Sequence, residues 1–130
     1  MKMNANMRFS LSDRIRSFVC AGKGVAIMLR YEHNAWIHTV ATFAVTAAGI
    51  YVGLTRYEWC WIVLAIIAVW TAEALNTALE FLCDVASPNF HPLVEKAKDV
   101  AAGAVLIATV GSVIIGLLIL GPYFLAMIHG

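Results

Sequence analysis

A chain of 130 residues that is 62% hydrophobic and 13% charged, with a mean hydropathy of +0.81, has more apolar surface than a water-soluble monomer hides. Its length is that of one domain, residues 1–130. The formal net charge is +1, and there is no basic block interleaved with aromatics, so the chain carries no footprint of a nucleic-acid partner.

Residues 1–9 are expected to fray. Basic residues are spread from Lys2 to Arg30, with no compact apolar stretch and cleavage site after them, so the N-terminus does not read as a cleavable signal peptide. Ser10-Leu11-Ser12-Asp13 has capping-box form. Behind it Ile15, Phe18, Val19, Gly22, Val25, Ala26 and Leu29 recur at helical spacing, while Arg14, Arg16, Lys23 and Arg30 largely occupy other positions. This basic amphipathic helix, about residues 10–30, suits a membrane surface better than a membrane crossing.

The polar segment Leu29–His38 follows. From Ile37 to Thr55 there is no Asp, Glu, Lys or Arg, and about 20 residues at 1.5 Å each span the hydrocarbon. Trp36 at one end and Tyr51 and Tyr57 near the other read as interfacial aromatics. Arg56-Tyr57-Glu58 reads as a very short turn. The apolar run from Trp59 to Ala72 reaches spanning length only if Glu73–Leu82 continue the same helix, which places Glu73 at or just inside the membrane boundary. Asp84–Asp99 is the one substantial polar loop, broken by Pro88 and Pro92, and Glu95-Lys96-Ala97-Lys98-Asp99 starts a new helix. No Asp, Glu, Lys or Arg occurs from Val100 to Gly130. Ala101, Ala104, Ala108, Gly111 and Gly116 there suit close helix contacts in lipid. The expected fold is an all-α membrane protein with spans at about residues 35–55, 59–83 and 98–122. Eight of the nine Lys and Arg residues fall on one side, with only Arg56 on the other. The positive-inside rule makes that side cytoplasmic, with the N-terminus in and the C-terminus out.

The charged chemistry collects at that same side. Glu73, Asn76, Glu80 and Asp84 stand at i, i+3, i+7 and i+11. At about 100° per residue the three acids fall within roughly 40° of one another, with Asn76 about 60° from Glu73. Glu32, Asn34 and His38 precede the first span, and Glu95, Lys98 and Asp99 begin the third. Carboxylates and amides without Cys/His clusters suit a hard cation such as Mg²⁺, which commonly serves a nucleotide phosphate. Lys98 and the arginines can face the remaining phosphate charge. A cytoplasmic phosphate donor and a lipid-dissolved alcohol would meet at this depth, where desolvation strengthens a carboxylate as a base. Glu73, the deepest acid, is the candidate base.

Other features have plainer readings. Asp84, Glu95 and Lys96 are compatible with solvated headgroup-level surface, and His33, His91 and His129 with ordinary surface. Cys20, Cys60 and Cys83 show no CxxC or Cys/His ligand spacing and read as small buried hydrophobes kept reduced. Gly22-Lys23-Gly24 is no Walker A loop, so a nucleotide site here is not a P-loop.

Glu73-Ala74-Leu75-Asn76-Thr77-Ala78-Leu79-Glu80 with Asp84, then His91-Pro92, then Ala97-Lys98-Asp99, resembles the small bacterial integral-membrane lipid kinases, prokaryotic diacylglycerol kinase and undecaprenol kinase. The likeness runs from about Phe18 to Pro122. Glu32-x-Asn34-x-x-x-His38 looks like the ExNxxxH pattern of the undecaprenol kinase branch, whereas the enterobacterial diacylglycerol kinase keeps the glutamate without that asparagine and histidine. The resemblance implies a surface helix and three spans assembled as a homotrimer in the bacterial inner membrane, with active sites at subunit interfaces near the cytoplasmic surface. It implies Glu73 as general base, Glu32 and Glu80 as ligands of Mg²⁺-ATP, and Asn76, Lys98 and Asp99 as further nucleotide-site residues. Lys23 and an arginine, Arg14 or Arg16, are looser matches as phosphate contacts. The expected activity is ATP-dependent phosphorylation of a membrane alcohol, undecaprenol first and diacylglycerol as the alternative acceptor. Roles for His38, Asp84 and His91 stay open. The rival from another class is a non-enzymatic cation-binding membrane subunit, which would bind metal without forming lipid phosphate.

Overall fold

The computed structural model describes residues 10–130; the expectation of fraying over residues 1–9 lies outside them. Among the described residues there are four helices and no strand: α1 (Leu11–Tyr31), α2 (His33–Val52), α3 (Arg56–Ala86) and α4 (Pro92–His129). Helices α2, α3 and α4 are each long and apolar enough to cross a membrane. Helix α3 packs against each of the other three, most extensively against α4.

The side chain of Ser10 caps α1 by accepting from the Asp13 N–H at 3.4 Å, and Asp13 in the first turn complements the helix dipole. Ile15, Phe18, Val19 and Val25 remain exposed and only Met28 is buried. The apolar face of α1 is thus left uncovered by protein, as a helix lying in the membrane interface requires. A single extended residue, Glu32 (φ −103°, ψ 117°), separates α1 from α2. The edge-on rings of Tyr31 and Phe81, 5.7 Å apart, tie the end of α1 to α3.

On α2 the hydroxyls of Thr39, Thr42 and Thr46 donate to the carbonyls four residues back at 2.8, 2.7 and 2.7 Å. Each bond removes a polar group that lipid could not satisfy. The helix closes on Gly53 in the left-handed region (φ +73°), with the Gly53 and Leu54 N–H groups both donating to the Gly49 carbonyl at 3.1 and 3.0 Å. Thr55 then opens α3 with a full capping box: its N–H donates to Glu58 Oε2 at 2.7 Å, and its hydroxyl accepts from the Glu58 N–H at 3.4 Å. The turn is therefore Gly53-Leu54-Thr55. The triplet Arg56-Tyr57-Glu58, expected as the turn, is instead the first turn of α3. A Cβ on Gly49 would stand 2.9 Å from both Leu54 Cδ1 and Trp59 Cη2. Gly49→Ala should therefore destabilise the chain by about 1–3 kcal/mol through overpacking, read as a lower Tm in detergent.

The buried positions of α3 are Ile62, Ala65, Val69, Glu73, Asn76, Thr77 and Cys83. They follow one helical face that is apolar for its first half and mostly polar for its second, so Glu73 and Asn76 sit on the packing face, while Glu80 is half-buried and Asp84 exposed. Cys83 is buried as expected, but Cys20 and Cys60 are exposed, because they fall on helix faces that no other helix covers. The Ser112 hydroxyl donates to the Ala65 carbonyl at 3.0 Å, joining α4 to α3. At the far end the Tyr123 hydroxyl lies 2.9 and 3.1 Å from the two Glu58 carboxylate oxygens.

Asp84–Asp99 is mostly helical: only residues 87–91 lie outside α3 and α4. Pro92 does not break a helix here; it starts one, at the position where its missing N–H costs nothing. His91 is the N-cap, its Nδ1 accepting from the Leu93 N–H at 3.2 Å, which gives this residue a structural role. Helix α4 also continues through Pro122 to His129. A Cβ on Gly103, Gly111 or Gly116 would meet nothing within 4 Å, so these glycines do not serve close contacts within the chain.

Candidate active site

Helix α3 carries the centre of the site. Glu73 is wholly buried, and Asn76 is 7% exposed. Asn76 Nδ2 donates to Glu80 Oε1 at 3.0 Å, an i,i+4 bond that fixes the amide and the carboxylate side by side. The Thr77 hydroxyl donates to the Glu73 backbone carbonyl at 2.9 Å and leaves the Glu73 carboxylate free. Neither Glu73 oxygen has a hydrogen-bond partner, nor does Asn76 Oδ1. Buried carboxylates without partners are costly, and such an orphan at a helix–helix junction marks a place prepared for something else.

Helix α2 supplies the nearest neighbour. His38 Nε2 lies 3.5 Å from Glu73 Oε2, with side-chain exposures of 11% and 1%. Trp70 stands edge-on to the His38 ring, with centroids 6.5 Å apart, and its indole N–H donates to the Thr42 hydroxyl at 3.1 Å. Thr42 in turn donates to the His38 carbonyl. The register of α2 on α3 at this depth is thus held by side chains about one helical turn from the His38–Glu73 pair.

Glu32, in the break between α1 and α2, is half-buried and lies within electrostatic reach of Glu80 and Glu73. Its carboxyl titrates above the ordinary glutamate value, first because of burial, then because of the Glu80 and Glu73 charges, with His33 opposing. Lys98 of α4 donates to Asp84 Oδ1 at 2.6 Å and feels Glu80 as well. This gives Asp84 a partner and brings α4 to the edge of the acids. Glu73, Asn76, Glu80, Glu32 and Lys98 are thus brought together. Asp99, Lys23 and Arg16 are exposed, and among the described residues no hydrogen bond or ion pair joins them to this cluster.

Among the described residues no three His, Cys, Asp or Glu side chains close around a common point. The donors are nevertheless oxygens of the kind a hard cation takes, two of them carboxylates close enough to repel one another, with an unsatisfied amide oxygen beside them. That set fits Mg²⁺, which holds few protein ligands and fills its octahedron with water and phosphate oxygens.

A cavity of about 580 Å³ runs between α2, α3 and α4, with His38 and Thr42 at one end and Phe124 and Ile128 at the other. Its wall between them is largely apolar, from Ile62 and Val69 to Leu117 and Leu120, with Thr109 and Ser112 among it. Thr109 to Ile128 alone extends about 28 Å along α4, close to the hydrocarbon thickness.

Comparison with known proteins agrees with this geometry. Residues 19–120 match the family described as prokaryotic diacylglycerol kinase. The undecaprenol kinase of Bacillus subtilis (strain 168) is 44% identical over 115 residues, covering 88% of this chain and 94% of that protein. A diacylglycerol kinase of Synechocystis is 37% identical over 85% of this chain and 64% of its own length. That of Escherichia coli (strain K12) is 30% identical over 69% of this chain and 80% of its own. With three apolar helices of spanning length and Glu73 buried on one of them, the chain belongs to the prokaryotic diacylglycerol kinase family and is a multi-pass membrane lipid kinase.

Proposed function

We propose that the chain transfers the γ-phosphate of ATP to the hydroxyl of undecaprenol, with diacylglycerol as the second-choice acceptor. The observation that carries the chemistry is the Glu73 carboxylate, buried and without a hydrogen-bond partner on the packing face of α3. A hydroxyl arriving from the lipid would supply the missing hydrogen bond. Glu73 would orient that hydroxyl and take its proton as the oxygen attacks phosphorus. Glu32 and Glu80 would hold Mg²⁺, whose contribution when bound is to neutralise charge on the β- and γ-phosphates. Asn76 would fix Glu80 and offer its free amide oxygen, and Lys98 would face phosphate.

We infer that the working assembly is a homotrimer with sites at protomer boundaries. This accounts for the exposure of Asp99, Lys23 and Arg16, three expected nucleotide contacts, in the single chain. The placement of eight of nine Lys and Arg residues supports a cytoplasmic N-terminus and an outer C-terminus. Undecaprenol is preferred because the undecaprenol kinase is 44% identical, against 37% and 30% for the two diacylglycerol kinases, and because Glu32, Asn34 and His38 keep the ExNxxxH spacing.

The deciding experiment is transfer of radiolabelled phosphate from ATP to a panel of alcohols in mixed micelles. Undecaprenol phosphate should form fastest; a faster rate with diacylglycerol would reverse the acceptor assignment, and no labelled lipid from any alcohol would refute the function.

The environment of Glu32 sets an acid limit. A carboxyl whose value is raised by folding binds its proton more readily in the folded chain. Its contribution to stability is therefore present at low pH and lost as pH rises through the folded value. The ionised form that a cation needs disappears in the opposite direction. Affinity for Mg²⁺-ATP should thus begin to fall, on acidification, above the range of an ordinary glutamate, and Glu32→Gln should flatten that limb of the binding profile.

A further inference from the structure

The Glu73 side chain is 1% exposed and does not line the apolar cavity, whereas His38 does both things Glu73 cannot: it lines the cavity and lies against the carboxylate. The imidazole Nε2 stands 3.5 Å from Glu73 Oε2, and neither Glu73 oxygen has a hydrogen-bond partner of its own. His38 is itself steadied, its ring edge-on to Trp70 and its helix turn locked by the Trp70–Thr42–His38 chain of hydrogen bonds. Such an arrangement has more parts than packing needs, since an apolar side chain at position 38 would fill the same junction without bringing a polar nitrogen toward a buried acid.

We propose that His38 is a positioning residue for the phosphoryl transfer: from the lipid-side cavity its Nε2–H aims the Glu73 carboxylate at the incoming hydroxyl. The proposal rests on Glu73 being the base. At 3.5 Å the contact is longer than a hydrogen bond. A small approach of the ring closes it, so one Glu73 oxygen accepts from His38 and the other is left for the substrate proton. His38 takes no proton from the substrate in this scheme; the hydroxyl proton passes to Glu73 as the oxygen–phosphorus bond forms and ADP leaves.

The test uses the full chain in mixed micelles with undecaprenol and Mg²⁺-ATP. His38→Phe keeps a ring against Trp70 and removes the N–H; His38→Gln keeps an N–H donor and loses the ring. His38→Phe should lower kcat by about 10²-fold, the size of effect expected when a reacting group is misplaced by about 1 Å, with KM for both substrates little changed. His38→Gln should retain most of the rate. In a Glu73→Gln background, His38→Phe should cost almost nothing more, because its effect runs through Glu73. Full rate in His38→Phe, a larger loss in Gln than in Phe, or a loss confined to KM for the lipid would each overturn the proposal, as would multiplicative losses in the double variant. Undiminished turnover in Glu73→Gln alone would instead remove the base assignment. Tm and elution volume, measured on each variant, separate unfolding from these outcomes: a rate loss in His38→Phe matched by collapse of the fold counts against positioning if His38→Gln collapses and fails with it.

Discussion

Replacing Glu73 by Gln should reduce lipid phosphorylation by about 10²- to 10⁴-fold, the range spanned by loss of a general base, while leaving Mg²⁺-ATP binding nearly intact. The substitution is close to isosteric, and the site is one where size matters, because the side chain is wholly buried on the face α3 turns to its neighbours. An amide in that place removes the charge without opening a void, so Tm should hold or rise: a buried carboxylate that receives no hydrogen bond is a burden on the fold, and a neutral group is cheaper to bury. The combination of a collapsed kcat, an unchanged nucleotide affinity and an undamaged Tm is the signature to look for. Full activity in Glu73→Gln would end its candidacy as base.

Replacing Glu80 by Ala should give the complementary split. Here the expected loss is in the binding of Mg²⁺-ATP, by about 10²-fold or more if the carboxylate contributes several kcal/mol through the metal. The effect should be larger than that of Glu80→Gln, which still offers Asn76 a hydrogen-bond acceptor at the distance now held by Glu80 Oε1, 3.0 Å. Removing Glu80 also removes the second-largest influence on Glu32. The acid limb of the binding profile should then move toward the ordinary glutamate range, and this coupling can be measured independently of turnover. A Glu80→Ala variant with normal nucleotide affinity and a lowered kcat alone would move Glu80 from metal ligand to some part in the chemistry.

Much of this was legible in the order of residues. The polar stripe of α3 could be read because helical geometry converts spacing into direction without reference to any other helix. The apolar lengths of α2, α3 and α4 follow from composition alone. Boundaries were less legible, and for identifiable reasons. Arg56-Tyr57-Glu58 looks like a turn because charges interrupt an apolar run, yet Thr55 and Glu58 stand at capping-box spacing and Gly53 supplies the left-handed residue that ends α2. Pro92 suggests an interruption and in fact begins α4, since a proline at a first helical position forgoes an N–H that had no partner anyway. The helix also carries Pro122 within it, as membrane helices tolerate where neighbouring groups or local adjustments re-satisfy the freed backbone. The His38–Glu73 pair was the least legible. Each residue stands out alone, but their meeting depends on how α2 slides and rotates on α3. That register is settled by Trp70, Thr42 and the close seat of Gly49 on Trp59, contacts that form only once the two helices pack.

The bond from Tyr123 to Glu58 has a mechanical consequence. Glu58 already receives the Thr55 N–H and hydroxyl, so the start of α3 and the end of α4 are clasped at the extremity farthest from Glu73, and the Ser112–Ala65 bond fastens them again midway. At the other extremity the Lys98–Asp84 contact is solvent-accessible, of a kind water weakens. The 87–91 connection ties that same extremity covalently, so α3 and α4 are fastened like a seam at both ends and in the middle, and Asn76, Glu80 and Lys98 sit on the most extensively packed helix pair of the fold.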